Sequence, residues 1–428
     1  MAEQHQPARP AHVVVLNRFE DECGAYHDFA AGLDLELSFV TLADGLCVID
    51  PSRSREVVVV EDLSVETVLP AVAGIIERNG PINGLTGLSE KDVVASAQLR
   101  EKLGLPGWSV ELATRFKDKV VMKHTVAAAE LRTPRFHGLT ELADDLHSTD
   151  PAVLAAALVD RLGLPVVLKP LAEGASRGIT VHADVAGLAR QLSEIDLGGY
   201  EAEEFVTGPI AHVDGILRSG EVFFVSASVY VGTCLGYAHG EILGSTLLDP
   251  GPAREATIGF ALDALAALGL THGPFHLEVI LSGGTNADLS DAEPVFLEVG
   301  LRPGGGDVPF VLADVSGIDL FAEAFRCSLG LPAQADPAGF GPAQGAGWLN
   351  VPEPSPRPCR LVARNSLAGV LPGVYAELLP EVGHVFRGTG GYDIVGGRFR
   401  IRGADRAEVE QRVWAAVEAY DVVVEDAS

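Results

Sequence analysis

Cysteines are few in this sequence, and their spacing matches no metal-binding or disulfide motif. The chain has 5 cysteines, scattered so that no two form a Cys-x-x-Cys pair. An odd, dispersed set argues against a disulfide framework and against a structural zinc site. Because this usage is typical of a reducing compartment, we expect a cytoplasmic protein.

Long hydrophobic runs and an excess of basic residues are missing as well. No uninterrupted apolar stretch approaches the roughly 18 residues of a membrane span, and the run at 13–16 is too short for a signal peptide. Lys and Arg number 31 against 59 Asp and Glu, which gives a formal net charge of -28. A nucleic-acid-binding protein needs a basic face, so neither nucleic acid nor a membrane is an expected partner.

Residues 1–115 alternate strand and helix patterns. Apolar runs that predict strands lie at 12–16, 37–42 and 56–60. Ser64 and Ser89 can cap the helices that follow. This alternation predicts a parallel, Rossmann-like sheet, and dinucleotide binding is not expected because no Gly-x-Gly-x-x-Gly motif follows the first strand.

Beyond residue 115, helical patterns are mixed with longer strands. The predicted helices lie at 119–130, 153–162 and 253–268. The predicted strands lie at 166–169, 179–182, 210–217, 221–231, 275–282 and 294–301, the last two as an antiparallel pair. Residues 332–358 are rich in Pro, Gly and Ala and predict a linker or a long surface loop. The strand patterns 360–363, 376–379 and 398–402 and the helix pattern 404–420 predict a small α+β terminal domain.

Lys169 ends an apolar strand and precedes a glycine-rich turn at 173–178. A compact cation at a strand end suits a phosphate chain, and the turn can add backbone N–H groups and donors from Ser176 and Arg177 beside Gly178. An exposed strand-end lysine is the alternative. Lys119, taken alone, is typical of a solvated lysine at a helix start.

Glu203-Glu204-Phe205-Val206 mixes charged and apolar residues. As a hinge between two lobes, this run could offer backbone groups to an adenine edge, with Phe205 and Val206 as apolar walls. A strand with a solvated acidic face is the alternative.

Glu278 and Glu298 lie within predominantly apolar strands. A buried carboxylate is costly unless it is paired or bound to metal, and Mg²⁺ prefers hard oxygen ligands that it shares with a substrate. Arg302 follows Glu298 and could neutralise a transferring phosphoryl group or clamp a carboxylate. The alternatives are two edge-strand glutamates and a surface arginine in a glycine-rich turn.

These features, in this order, resemble the ATP-grasp superfamily, and within it the carboxylate–amine ligases such as L-amino acid (dipeptide) ligases and natural-product amide synthases. The resemblance covers about residues 85–310. It implies an α/β and α+β architecture, with a Rossmann-like N-terminal domain followed by a two-lobed ATP-grasp core and a small C-terminal α+β domain. The implied segments are 1–115 (Rossmann-like domain), 116–200 (small lobe with the glycine loop), 201–330 (large lobe with the metal site) and 331–428 (linker and C-terminal subdomain).

The resemblance also implies roles for single residues. Lys169 and Arg302 are the implied catalytic residues, and Glu278 and Glu298 the ligands of Mg²⁺, with Mn²⁺ as another expected metal. The implied nucleotide-binding residues are Lys119 or Lys123, Lys169, Ser176, Arg177, Gly178 and the run from Glu203 to Val206. Weaker substrate candidates are Glu90, His239, Glu241, Gly304, Gly305 and Gly306.

The sequence departs from the family pattern at two positions. Many members carry a ligating Asn two residues after the second metal glutamate, where this chain has Gly300. Many also have a ribose-binding glutamate near the hinge; here His212 could donate to a ribose hydroxyl, or it could be a satisfied strand histidine.

The resemblance implies an ATP-dependent ligase that activates a small-molecule carboxylate as an acyl phosphate and joins it to an amine, releasing ADP and phosphate. Amino acid-like substrates are expected, and the family pattern allows a homodimer. A carboxyphosphate-forming carboxylase and a non-catalytic nucleotide-binding module are the alternatives.

Overall fold

The computed structural model describes residues 11–172, 174, 176–336, 345–388 and 395–427. These residues form 19 strands and 13 α-helices. None of the described helices combines the length and the apolar character that a membrane crossing requires. Glu173 and Ala175 of the expected glycine turn, and residues 337–344 of the expected linker, lie outside the described residues.

The N-terminal part is a four-stranded parallel sheet in the order β3-β2-β1-β4. Its strands are β1 (Ala11–Asn17), β2 (Leu35–Thr41), β3 (Glu56–Val59) and β4 (Gly84–Thr86). Its helices are α1 (Tyr26–Phe29), α2 (Val65–Asn79), α3 (Val93–Leu103) and α4 (Val110–Arg115). The predicted parallel sheet is confirmed, and Ser64 caps α2 as expected. Ser89 caps the 3₁₀ turn Glu90–Asp92, which leads into α3 and fixes Glu90 just beyond the carboxyl end of β4.

The next part is a smaller antiparallel sheet in the order β5-β8-β6-β7. It comprises α5 (Lys119–Ala128), β5 (Phe136–Gly138), α6 (Leu139–Leu146), α7 (Pro151–Leu162), β6 (Val166–Pro170), β7 (Thr180–His182), α8 (Val185–Leu192) and β8 (Tyr200–Glu204). Leucines of α6, α7 and α8 pack on this sheet in one apolar cluster. Because β6 and β7 form a hairpin, the glycine turn after Lys169 is the loop of that hairpin.

The central sheet has eight strands in the order β13-β12-β9-β10-β11-β14-β18-β16. Its first section comprises β9 (Ile210–Arg218), β10 (Glu221–Gly232), α9 (Cys234–Ala238), β11 (Leu243–Leu247), α10 (Pro252–Leu268), β12 (Gly273–Ser282), β13 (Glu293–Gly300), α11 (Val308–Ser316) and α12 (Leu320–Ser328). Its second section, with a separate sheet of order β17-β15-β19, comprises β14 (Gly345–Val351), β15 (Cys359–Arg364), β16 (Val374–Leu378), β17 (Val385–Phe386), β18 (Gly397–Gly403), α13 (Arg406–Ala419) and β19 (Val422–Asp426).

The C-terminal region differs from the sequence expectation. The linker prediction was wrong for Gly345–Val351, which forms strand β14 in the middle of the central sheet. Its glycines, which suggested a loop, are needed for close packing: a Cβ on Gly347 would lie 2.3 Å from the Ser245 carbonyl oxygen and 2.9 Å from Val409 Cγ1. Strands β14, β18 and β16 therefore continue the large-lobe sheet across the expected boundary at 330/331, whereas β15, β17 and β19 form a separate three-stranded sheet.

The central strands separate two environments by simple alternation. Successive side chains of a strand point to opposite faces, so Leu277 and Val279 of β12 enter the main hydrophobic cluster with residues of α10 and α5. His276 and Glu278 consequently point to the other face. This alternation places polar side chains from several strands on one surface.

We predict that Gly347→Ala destabilises the protein, because the new Cβ meets backbone rather than a movable side chain. The expected loss of unfolding free energy is about 1–3 kcal/mol, measured by urea denaturation. Gly259→Ala in α10 is the matched control, since a Cβ there meets nothing within 4 Å and should be neutral or stabilising by up to about 1 kcal/mol. Equal effects of the two substitutions would contradict the packing argument.

Candidate active site

Four polar residues of β9 and β12 form a buried cluster on the face of the central sheet opposite the main hydrophobic cluster. The strand register pairs His276 with Asp214 and Glu278 with His212. Asp214 contacts both histidines: its Oδ1 lies 2.7 Å from His276 Nδ1 and its Oδ2 lies 2.5 Å from His212 Nδ1. All four residues are buried, so their charges must be compensated within the cluster.

The pKa values of the residues in this cluster reflect the charges that surround them. Burial alone would raise the pKa of Asp214, but the two histidines outweigh it and hold the pKa below its ordinary value. Burial would lower the pKa of His276, yet Asp214 outweighs it and raises the pKa to about 9. Burial would also raise the pKa of Glu278, but the hydrogen bond and charge of His276 lower it. Glu278 is therefore an anion at neutral pH.

Glu278 and Glu298 face each other across the paired strands β12 and β13, where they are register partners. Direct cross-strand partners project on the same face of a sheet. Tyr230 donates its hydroxyl to Glu278 Oε1 at 2.8 Å, and Lys119 Nζ lies 3.8 Å from Glu298 Oε2. The Glu278 side chain is 11% exposed and the Glu298 side chain 40%, so the pair leads from the sheet interior to the surface. Two such carboxylates fit a hard divalent cation.

A cleft brings the three parts of the protein together beside this pair. We call it the central cleft, and its lining includes Glu90, Lys117, Lys119, His276, Glu298 and Arg302. Glu90 comes from the N-terminal part, Lys117 and Lys119 flank the N-cap of α5, and the rest lie on β12, on β13 or directly after β13. Asp118 caps α5 by accepting from the backbone N–H groups of residues 120 and 121, which fixes the position of Lys119.

Glu90 is held between two cations in the central cleft. Arg302 Nε donates to Glu90 Oε2 at 2.8 Å, and Lys117 Nζ donates to Oε1 at 3.2 Å. Burial would raise the pKa of Glu90, but the charges of Arg302 and Lys117 outweigh it and lower the pKa to about 2. The structure thus places two sequence-predicted residues, Glu90 and Arg302, in direct contact.

Lys169 and Lys123 belong to a buried group of four charges in the smaller sheet. Lys169 Nζ lies 2.6 Å from Glu203 Oε2, and Lys123 Nζ lies 2.6 Å from Glu201 Oε1 and also contacts Glu203. Burial would lower the pKa of Lys123, but Glu203 and Glu201 outweigh it and raise the pKa. Two lysines and two glutamates therefore balance their charges inside this lobe.

This placement bears on the choice between Lys119 and Lys123, which the sequence leaves open. The Lys123 side chain is 1% exposed and lies between two carboxylates, so the geometry argues against a direct phosphate contact. Lys119 lines the central cleft and is the better placed of the two lysines. A one-turn offset along α5 separates a cleft-facing lysine from a buried one.

Two side chains of the predicted hinge are engaged in ion pairs. Glu203 carries the lysine contacts, and Glu204 Oε2 accepts from Arg135 Nε at 2.7 Å. Phe205 is 46% exposed and Val206 half-buried, directly after β8 ends. Adenine binding by this run stays a prediction, since it would use backbone groups and these two apolar side chains.

The position of His212 argues against the expected contact with a ribose hydroxyl. Its Nδ1 bonds to Asp214, its Nε2 lies 2.7 Å from Ser245 Oγ, and the residue is 1% exposed. Both ring nitrogens are thus engaged inside the sheet, which favours the satisfied strand histidine. His239 and Glu241 are exposed on the segment between α9 and β11, and their substrate role stays a prediction.

The remaining candidates lie in two glycine-containing turns. Ser176 and Gly178 adopt left-handed φ values of 56° and 71° in the hairpin loop after Lys169, and Arg177 between them is exposed. Gly304 packs on the buried cluster: a Cβ there would lie 2.4 Å from Asp214 Oδ1. Gly305 is exposed, and Gly306 lies against Trp348.

Sequence reasoning missed His276, Asp214 and Tyr230 as parts of the site. A signal was present for two of them, because His-x-Asp in β9 and His-x-Glu in β12 each place two polar residues on the same face of an apolar strand. The contact of Tyr230 with Glu278 carries no local sequence signal, since 48 residues separate them.

Comparison with known proteins adds to this geometry. No family model matches the chain. The chain is 25% identical over 283 residues, 64% of its length and 64% of the relative's, to an L-arginine-specific L-amino acid ligase of Bacillus subtilis. It spans between about half and two thirds of the length of the first curated relatives it matches.

Solved structures cover nearly the whole chain. An L-amino acid ligase from Bacillus licheniformis aligns with a TM-score of 0.73 and 18% identity, covering 97% of this chain and 99% of that one. The chain has the fold of these ATP-grasp proteins. The biotin carboxylase domain of the Hydrogenobacter thermophilus 2-oxoglutarate carboxylase, solved with MgADP, ADP and bicarbonate, aligns with a TM-score of 0.68 and 14% identity, covering 96% of this chain and 90% of that one. The ATP-grasp fold predicted from the motif order is thereby confirmed.

We predict that Lys123→Met lowers the unfolding free energy of this protein by about 3–5 kcal/mol, because it leaves the buried Glu201 without its counter-ion and Glu203 with Lys169 alone. Chemical denaturation measures the loss. The matched control is Arg132→Met, which removes a surface cation that is 49% exposed and pairs with Glu293, and should cost about 0–1 kcal/mol. A loss for Lys123→Met no larger than the control's would refute the buried-charge assignment.

Proposed function

We propose that the chain is an ATP-dependent carboxylate–amine ligase. It would activate a carboxylate as an acyl phosphate, transfer the acyl group to an amine, and release ADP and phosphate. The observation that carries this proposal is the Glu278–Glu298 pair beside a cleft that also holds Lys119 and Arg302. That set combines a cation site with the positive charge that phosphoryl transfer requires.

The nucleotide phosphates would bind among Lys119, Lys169 and the hairpin loop that contains Ser176. Lys169 ends β6 with its stem buried and its ammonium 2.6 Å from Glu203, so its charge is positioned before any ligand arrives. The adjoining turn can supply backbone N–H groups to phosphate oxygens. The residues from Glu203 to Val206 would form the adenine side of the site.

Glu278 and Glu298 would hold the divalent cation. Magnesium, when bound, neutralises phosphate charge and orients the transferred group. Glu278 is kept anionic and is oriented by Tyr230, whereas Glu298 lies at the more exposed position, near Lys119. Use of Mn²⁺ in place of Mg²⁺ is part of the proposal.

In the first chemical step, a substrate carboxylate oxygen attacks the γ-phosphorus and the bond to the ADP oxygen breaks. Arg302 and Lys169 would neutralise the charge that spreads over the phosphoryl oxygens. In the second step, the amine attacks the acyl carbon, phosphate leaves, and the amine loses a proton to give the amide. The hairpin loop would cover the intermediate against hydrolysis.

The substrates are proposed to be amino acid-like small molecules. The relative from Bacillus subtilis is named for L-arginine. Glu90, which Arg302 and Lys117 hold in the central cleft, stays a predicted substrate contact. His239, Glu241 and the glycines 304–306 stay predicted substrate contacts. A homodimer and a cytoplasmic location are further parts of the proposal.

A carboxyphosphate-forming carboxylase is the second candidate function. The aligned biotin carboxylase domain was solved with bicarbonate, and bicarbonate would take the place of the carboxylate in the same first step. A non-catalytic nucleotide-binding module is less well supported, because both lysines, both glutamates and Arg302 of the expected set are present.

We predict that ATP is cleaved to ADP only when a carboxylate and an amine are both supplied from a panel of amino acids. Coupled ADP detection with mass spectrometry of the product measures this, with and without bicarbonate. Glu298→Gln should lower turnover by about 100-fold or more, whereas Glu293→Gln, at a side chain 78% exposed, should leave it unchanged.

Bicarbonate-dependent ADP release with no amide product would instead favour the carboxylase. ATP binding without ADP release under every condition would favour the non-catalytic module and contradict both enzymatic proposals.

A further inference from the structure

We propose that His276 supplies a nitrogen ligand to the divalent cation held by Glu278 and Glu298, so that the metal site has mixed nitrogen and oxygen donors. This inference deepens the proposed function and rests on it for the presence of the cation. It assigns a role to a buried histidine that sequence reasoning passed over.

The orientation of the His276 ring is the first observation. Its Nδ1 lies 2.7 Å from Asp214 Oδ1, so Nδ1–H donates to the carboxylate, and Nε2 is the nitrogen that offers a lone pair once its proton is displaced. Asp214 is itself fixed by His212 through its other oxygen. A carboxylate that fixes the tautomer and rotation of a histidine is the usual support of a metal-bound imidazole.

The position of Nε2 is the second observation. It lies 3.5 Å from Glu278 Oε1, on the same face of β12. Two donors that share one cation, each about 2.0–2.2 Å from it, are roughly 3–3.5 Å apart when they are neighbours in its coordination sphere. Nε2 and Oε1 therefore have the spacing of a shared ligand pair, and the hydroxyl of Tyr230 fixes Oε1 through a hydrogen bond.

Strand β13 provides no side-chain ligand at the position opposite His276. Gly300 is the register partner of His276 and offers no side-chain donor at the position beyond Glu298. The space above Gly300 is taken by Arg302 and Glu90, whose atoms lie 3.4–3.7 Å from an added Cβ. A nitrogen from β12 would thus complete a ligand set to which β13 contributes one carboxylate.

A neighbouring cluster is a weaker metal candidate. His212, Asp214 and His276 have ligand atoms within 4.8 Å of one another, but both Nδ1 atoms already contact Asp214 and His212 Nε2 contacts Ser245. A cation there would have to break these hydrogen bonds. The Nε2 atom of His276 faces Glu278, which makes the site beside the central cleft the better fit.

A proton and a metal ion would compete for Nε2 of His276. If the proton stays, His276 only donates to Glu278 and positions it, and the metal has oxygen donors alone. The two arrangements differ in an observable way, because imidazole ligation favours Mn²⁺ over Mg²⁺ and places a nitrogen nucleus directly on the metal.

The experiment uses the full chain with Mn²⁺ and ADP. Electron spin echo envelope modulation is recorded on protein with natural histidine and on protein grown with ¹⁵N-histidine, the nucleotide being unlabelled in both. We expect a directly bound ¹⁴N signal that changes to ¹⁵N with the label. Mn²⁺ bound with no histidine nitrogen coupling, or no Mn²⁺ bound at all, would overturn the inference.

Substitution gives a second, independent measurement. His276→Gln should weaken Mn²⁺ binding by about tenfold or more while weakening Mg²⁺ binding less, with both affinities measured by calorimetry in the presence of ADP. His124→Gln is the control, since that ring is 57% exposed and contacts Glu141. Equal losses for the two metals would assign His276 a positioning role only.

These results are separable from the proposed function. ADP release with amide formation, but no histidine nitrogen on the metal, would leave the ligase proposal standing and remove this inference. A histidine nitrogen on the metal without any ADP release would support this inference and contradict the ligase proposal.

Discussion

The alternation of β9 and β12 between an apolar and a polar face is the constraint on which the site depends. Ala211, Val213, Leu277 and Val279 enter the hydrophobic core, so the residues between them must point to the opposite face. Those residues are polar or charged, and their burial is tolerated because each has a partner of opposite charge or a hydrogen bond. The same packing that stabilises the sheet therefore also orients Glu278.

Charge compensation recurs in each part of the protein that borders the central cleft. In the smaller sheet, Lys123 contacts two buried glutamates, and Lys169 near the end of β6 contacts one of them. Between the N-terminal part and the central sheet, Arg302 and Lys117 balance Glu90. The cations that would meet ATP and substrate are thus positioned by internal anions before ligands bind, which reduces the ordering that binding must impose.

Much of the fold could be predicted from local patterns. The parallel N-terminal sheet and the paired strands that bear Glu278 and Glu298 followed from apolar periodicity, and the order of motifs pointed to the ATP-grasp fold. What could not be predicted depends on distant packing. Strand β14 was not predicted, because its glycines suggested a loop. In the structure these glycines allow α13 and the neighbouring strand to pack closely. The burial of Lys123 depends on strand β8, 78 residues away, and no pattern around the lysine reports it.

The central claim is that a substrate carboxylate takes the γ-phosphoryl group of ATP. Isotope transfer tests it most directly: an active carboxylate substrate is labelled with ¹⁸O in its carboxyl group, and the released phosphate is analysed by ³¹P NMR. An acyl phosphate requires one ¹⁸O atom to pass from the carboxylate to phosphate as the amide forms. Unlabelled phosphate, or AMP and pyrophosphate in place of ADP and phosphate, would contradict the mechanism.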